Sequence, residues 1–185
     1  MPFTSNKRPE QVARVLADDH SEIDALIRDL LSALEEEDKS KVFARLDLLW
    51  ARLAVHIRAE HLCLFPSILA ANFSTRSGGP QYQEAQIAVV QFRLDHEFFM
   101  RELGAAVNMI RKQETPSEHE AISKQLEEVR RSIVKIQTRL DQHNQLEENQ
   151  IYKWVDVLLG EPERVALTAR IRHELENIPP RFQPA

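Results

Sequence analysis

The chain has 185 residues, enough for one domain with a real core, and its 43% hydrophobic and 29% charged residues are the balance of a folded protein rather than a disordered one. A net charge of −5 argues against nucleic-acid binding, which needs a basic face, and no stretch reaches the apolar length of a membrane span. The single cysteine, Cys63, excludes an internal disulfide and a cysteine-only zinc site, and the first eight residues lack the apolar run of a signal peptide, so a cytoplasmic protein is expected.

Only four glycines are present, and the long stretches free of Gly and Pro predict long helices. The first, about 10–37, presents Leu16, His20, Ile23, Ile27, Leu30 and Leu34 on one face. The second, about 39–71, presents Val42, Leu46, Leu49, Leu53, His56, Glu60, Cys63 and Ser67 in steps of four and three, the seam of an antiparallel bundle. Residues 72–80, with Gly78-Gly79-Pro80 at their end, form the long mid-chain connection. The third helix, about 81–112, carries Val89, Phe92, His96, Phe99, Leu103 and Ile110. Thr115-Pro116-Ser117 supplies a break and a cap for the fourth, which reaches about 159. Its inner positions are Ile122, Leu126, Val129, Ile133, Ile136, Leu140, His143, Glu147, Ile151, Trp154 and Leu158. Gly160 ends it, and Pro162 sits early in a short fifth helix that reaches about 177.

The two halves repeat. Asp19-His20 matches Asp95-His96, His56-x-x-x-Glu60 matches His143-x-x-x-Glu147, and Leu64-Phe65 matches Ile151-Tyr152 at equal distances. Each hairpin alone leaves an apolar stripe exposed. The expected fold is therefore all-α: an up-down-up-down four-helix bundle built from two repeated helical hairpins, with a short C-terminal helix. It is expected to form a single domain over 1–185, with its core at about 10–160. The stripe of the fourth helix starts 21 positions before His143, that of the second 14 before His56, so the fourth helix is expected to be one heptad longer.

Each of the four helices places a histidine on its apolar stripe, and two add a glutamate. Unpaired polar groups in a core cost several kcal/mol or more, and a bound cation is the economical explanation. Residues four apart point the same way on a helix, so His56 and Glu60 can share one metal, as can His143 and Glu147. Imidazole suits iron, zinc, copper and nickel, and a carboxylate with two oxygens can bridge two ions. Four imidazoles and two carboxylates exceed the needs of one ion and suit two, with open positions left for a small ligand.

These residues resemble the hemerythrin-like, or HHE cation-binding, family, whose pattern is a histidine on one helix and His-x-x-x-Glu on the next, repeated. The resemblance runs over Asp19-His20, His56 to Pro66, Asp95-His96-Glu97 and His143 to Tyr152, within about 10–160. It implies that His20, His56, His96 and His143 are iron ligands and that Glu60 and Glu147 are bridging carboxylates. It also implies a pair of metal ions, iron with an oxo or hydroxo bridge. Oxygen-carrying hemerythrins have a further histidine one turn from the one on the third helix. Here those places hold Phe92 and Met100. His61 lies about 100° around a regular helix from Glu60 and would join the site only if that helix were distorted.

Of the remaining residues, His61 is expected to be exposed or partly buried, His119 and His173 to be on the surface, and Cys63 and Tyr152 to pack in the core. Asp24, one turn from His20, is a candidate for orienting its imidazole. The acidic run Glu35-Glu36-Glu37-Asp38 reads as a solvated helix end. The expected function is a dinuclear metal-binding protein for oxygen or nitric oxide binding or sensing, or for iron handling, with a protein partner or a homodimer. The alternatives are a diiron redox enzyme, peroxidase-like or for iron–sulfur repair, and a metal-free helical interaction module.

Overall fold

A computed structural model describes residues 11–73, 79–111 and 119–182, with the side chains of 119–121 undescribed. The break expected at Thr115-Pro116-Ser117, most of the mid-chain connection and the side chain of His119 lie outside the described residues. Within them the chain is helical and has no strand. Helix α1 spans Val12–Glu35 and α2 spans Lys39–Ala59, followed by a π-helical turn, Glu60–Leu64, and α3, Phe65–Leu69. Helix α4 spans Tyr82–Arg111, and α5 spans His119–Leu146. A second π-helical turn, Glu147–Ile151, leads into α6, Tyr152–Leu158, and α7 spans Glu161–Glu176. No helix among the described residues is long and apolar enough to cross a membrane.

Local chemistry sets several boundaries. Asp38, at the end of the acidic run, caps α2, its carboxylate accepting from the backbone N–H groups of Ser40 at 3.1 Å and Lys41 at 3.0 Å. Glu163 reaches back to the Gly160 N–H at 2.6 Å, and Pro162 occupies the first turn of α7, where its missing N–H costs nothing. Helix α5 begins 24 residues ahead of His143 and α2 only 17 ahead of His56, which is the extra heptad.

Helix α1 packs on α2, α2 on α4, α4 on α5, and α5 on α1, which closes a ring of neighbours around the inner faces. The apolar interior divides into two clusters. One joins Ile23, Leu30, Leu46, Phe99, Leu103 and Ile133 with their neighbours; the other joins Leu16, Leu64, Phe65, Ile68, Phe92 and Ile151 with theirs. Buried His20, His56, Glu60, His96, His143 and Glu147 fall between the two along α1, α2, α4, α5 and the π-helical turns. Helix α7 lies against α1, α2 and the first π-helical turn and buries Leu167, Ile171 and Leu175. Arg58 fixes it in place, donating to the Glu174 carboxylate at 2.8 Å and the Asn177 carbonyl at 2.9 Å.

The π-helical turns are the departure from the expected geometry. In each, the N–H five residues on bonds the carbonyl of the glutamate, Phe65 to Glu60 and Tyr152 to Glu147. Such a turn adds one residue and resets the phase of the helix beyond it. Beyond Glu60 the buried positions are Cys63, as expected, and then Leu64, Phe65 and Ile68, whereas Ser67, expected on the inner face, is only partly buried. Beyond Glu147 the same steps bury Ile151, Tyr152 and Val155, while Trp154 and Leu158 are buried as expected. Pro66 helps to explain the first turn, because it has no N–H for a regular helical bond. The matching position in the second hairpin is Lys153, so proline is not the common cause. What the two turns share is a buried glutamate at their first position.

Candidate metal centre

The six core-facing residues converge. They form two groups whose ligand atoms all lie within 4.8 Å of one another and which could each hold a metal ion: His20, His56, Glu60 and Glu147, and Glu60, His96, His143 and Glu147. Both glutamates belong to both groups. Glu60 turns one oxygen to His56 Nε2 at 3.2 Å and the other to His96 Nε2 at 3.2 Å. Glu147 Oε2 lies 3.5 Å from His20 Nε2 and 3.6 Å from His143 Nε2. All six are buried.

The outer nitrogens of the histidines are held from behind. Asp19 receives His56 Nδ1 at 2.7 Å, and Asp95 receives His143 Nδ1 at 3.2 Å. Each aspartate is pinned by an arginine one turn before the histidine it holds: Arg52 bonds Asp19, and Arg139 Nε bonds Asp95 at 3.0 Å. Burial alone would raise the Asp95 carboxyl, but the His143 and Arg139 hydrogen bonds bring it down to about 2, so it stays charged. With Nδ1–H donating to a carboxylate, Nε2 of each imidazole turns its lone pair inward.

The π-helical turns place one further residue behind each remaining histidine. Glu148 Oε1 accepts from His20 Nδ1 at 3.0 Å, and His61 Nε2 lies 2.9 Å from His96 Nδ1. The expectation that a regular helix keeps His61 away is thus corrected. The helix is distorted, and His61 reaches the site partly buried, backing His96 rather than entering either group of four. Its partial burial, and then the charges of His96 and Arg93, lower its pKa to about 4, so it is neutral at pH 7. Glu148, not Asp24, bonds His20. Tyr152 is buried as expected, yet it is more than packing: its hydroxyl lies 3.2 Å from His20 Nε2 and 3.4 Å from Glu147 Oε2. His173 is exposed and Cys63 buried, as expected.

The arrangement lacks positive charge at its centre. Both oxygens of Glu60 and one of Glu147 are buried without a hydrogen-bond partner. His96 Nε2 and His143 Nε2 face each other at 3.0 Å. Inward lone pairs and orphaned carboxylate oxygens at these separations repel unless a cation lies among them, so the donor set fits metal ions well. In their absence protons serve in part. Burial lowers the His56 pKa, but the Glu60 charge outweighs it and the net shift is upward; His143 is raised in the same way by Glu147.

Sequence reasoning missed Arg52, Arg139 and Glu148. A signal for the arginines was available: Arg52-x-x-x-His56 and Arg139-x-x-x-His143 repeat in step with the glutamates. The fold and site together define an all-helical chain with a buried histidine–carboxylate cluster able to hold metal ions. Comparison with models of known protein families, with curated proteins and with solved structures finds no match for this chain, so the site itself carries the functional argument.

Proposed function

We propose that this chain is a hemerythrin-like, single-domain protein that binds two metal ions, iron being the metal the resemblance favours, within an up-down-up-down four-helix bundle. The observation that carries this reading is the sharing of Glu60 and Glu147 by two four-membered groups. Glu60 directs a different oxygen to each hairpin, as a bridging carboxylate must. His20 and His56 then serve one ion, and His96 and His143 the other. A pair of ions so held supplies open positions for a diatomic ligand such as oxygen or nitric oxide. The chain's own part is to orient the imidazoles through Asp19, Asp95, Glu148 and His61 and to exclude water with the two apolar clusters. A metal-free interaction module is disfavoured, because three carboxylate oxygens would stay buried without a partner.

The test is elemental analysis and an optical spectrum of anaerobically reconstituted protein before and after exposure to air. Two ions per chain are expected, together with a spectral change on oxidation. One ion or none would overturn the dinuclear reading.

A further inference from the structure

The two groups of ligands share their glutamates, and His56 and His143 are backed alike by an aspartate and an arginine. The groups behind His20 and His96 differ. We propose that the position framed by His20 and His56 binds a divalent cation more tightly than the position framed by His96 and His143, and fills first. The inference rests on the dinuclear reading and adds an order to it.

Three observations point the same way. The Nδ1 of His20 bonds the Glu148 carboxylate at 3.0 Å, whereas the Nδ1 of His96 meets the His61 imidazole at 2.9 Å. A carboxylate behind a histidine makes it a stronger donor to a metal, and an imidazole brings no negative charge to do so. The surrounding field differs as well. Asp24 interacts with His20, and Glu148 bonds it, so two acids stand near that imidazole. Around His61 the interacting charges are His96, Arg93 and the shared Glu60. Finally, the Tyr152 hydroxyl lies 3.2 Å from His20 Nε2, while its counterpart Phe65 lays a bare ring against His96, centroids 6.0 Å apart. One position has an extra oxygen beside it and the other has carbon.

A first dication repels a second, so unequal steps in the intact protein would arise even from identical positions. Variants with one position each separate the two effects. Metal-free His96→Ala keeps the His20 position, and metal-free His20→Ala keeps the His96 position; both are titrated with zinc by calorimetry. Zinc is expected to bind His96→Ala at least about tenfold more tightly than His20→Ala, the lower end of what a partner behind a ligand contributes. Adding Glu148→Gln to His96→Ala should raise Kd by about tenfold. The Glu148 side chain is 45% exposed, so its replacement opens no cavity. Adding His61→Glu to His20→Ala should tighten binding. Equal or reversed affinities, or an inert Glu148→Gln, overturn the ordering while leaving the dinuclear reading standing. Intact protein that takes up fewer than two zinc ions overturns both.

Discussion

The hairpin of α1 and α2 and the hairpin of α4 and α5 hold their core-facing histidines by the same means and finish them differently. The repeated parts are the Asp-His pair, the His-x-x-x-Glu pair, the arginine one turn ahead and the π-helical turn that begins at the glutamate. These fix where donor atoms point. The unrepeated parts are Glu148 against His61, on the turn that widens the helix, and Tyr152 against Phe65, immediately after it. A wide turn therefore does two things. It places the residue after each glutamate behind the lone histidine of the opposite hairpin, and it is where two otherwise equal hairpins become unlike.

The largest expected effect tests the shared glutamates against the unshared histidines. Glu60→Ala and Glu147→Ala should each lose both ions, whereas His20→Ala should retain about half of the metal, because an imidazole offers one nitrogen to one ion and a carboxylate has two oxygens to offer. Metal content after identical reconstitution decides it. A Glu60→Ala protein that keeps a full ion would show that Glu60 serves one position only.

The next test addresses the phase change made by the wide turns. Ile68 and Val155 occupy matching buried positions, eight residues beyond Glu60 and Glu147, and Ser67 lies beside Ile68 on the less buried side. Ile68→Ala should cost about 2–5 kcal/mol and Ser67→Ala within about 0.5 kcal/mol, read from denaturant unfolding. A regular helix would bring Ser67 inward and turn Ile68 away, so a small loss at Ile68 would remove the turn from the first hairpin.

Much of this was legible in the sequence, and the misses have a common origin. The helical segments and the six core-facing polar residues follow from a 3.6-residue period, which the chain keeps as far as each glutamate. Beyond it the period breaks: His56, Glu60, Leu64 and Ile68 advance by four each time, as do His143, Glu147, Ile151 and Val155. Each step of four drifts about 40° around a regular helix, too much for one face over three steps. A regular seam continued to Ser67 ignores that drift, and it leaves His61 off the site for the same reason. The partners of the histidines were harder to see, because Asp19 with His56, and Glu148 with His20, join residues far apart in the chain.

A third measurement asks whether the repeated frame is equal in the two hairpins. Asp19→Asn and Asp95→Asn remove the charge behind His56 and His143 while keeping the shape. Each should weaken metal binding by about 10–100-fold, and by similar factors, since both aspartates hold an Nδ1 and are pinned by an arginine. Factors far apart in the two variants would place part of the asymmetry in the frame itself rather than in the residues of the wide turns.

The smallest effect isolates one oxygen atom. Tyr152 and Phe65 sit at equal distances beyond their glutamates, and both rings are buried. A core-packing role treats them as the same residue; the structure separates them by a hydroxyl that reaches His20 Nε2 at 3.2 Å and Glu147 Oε2 at 3.4 Å. Burial, and then the charges of Glu147 and Glu60, raise its pKa well above the ordinary range, so it is a neutral donor throughout the range in which the protein would be studied. Tyr152→Phe keeps the ring and its packing and removes only the donor. The loss falls on the Glu147 carboxylate, which already has one oxygen without a hydrogen-bond partner. Metal-free Tyr152→Phe should therefore lose about 1–3 kcal/mol in urea unfolding, more than the average hydrogen bond contributes, because a buried acceptor is left behind. In the metal-loaded protein the loss should shrink, since the ions neutralise that carboxylate and take over His20 Nε2. No loss in the metal-free protein would mean that the hydroxyl adds nothing to the packing of the ring, and the first hairpin's Phe65 would then be its full equivalent.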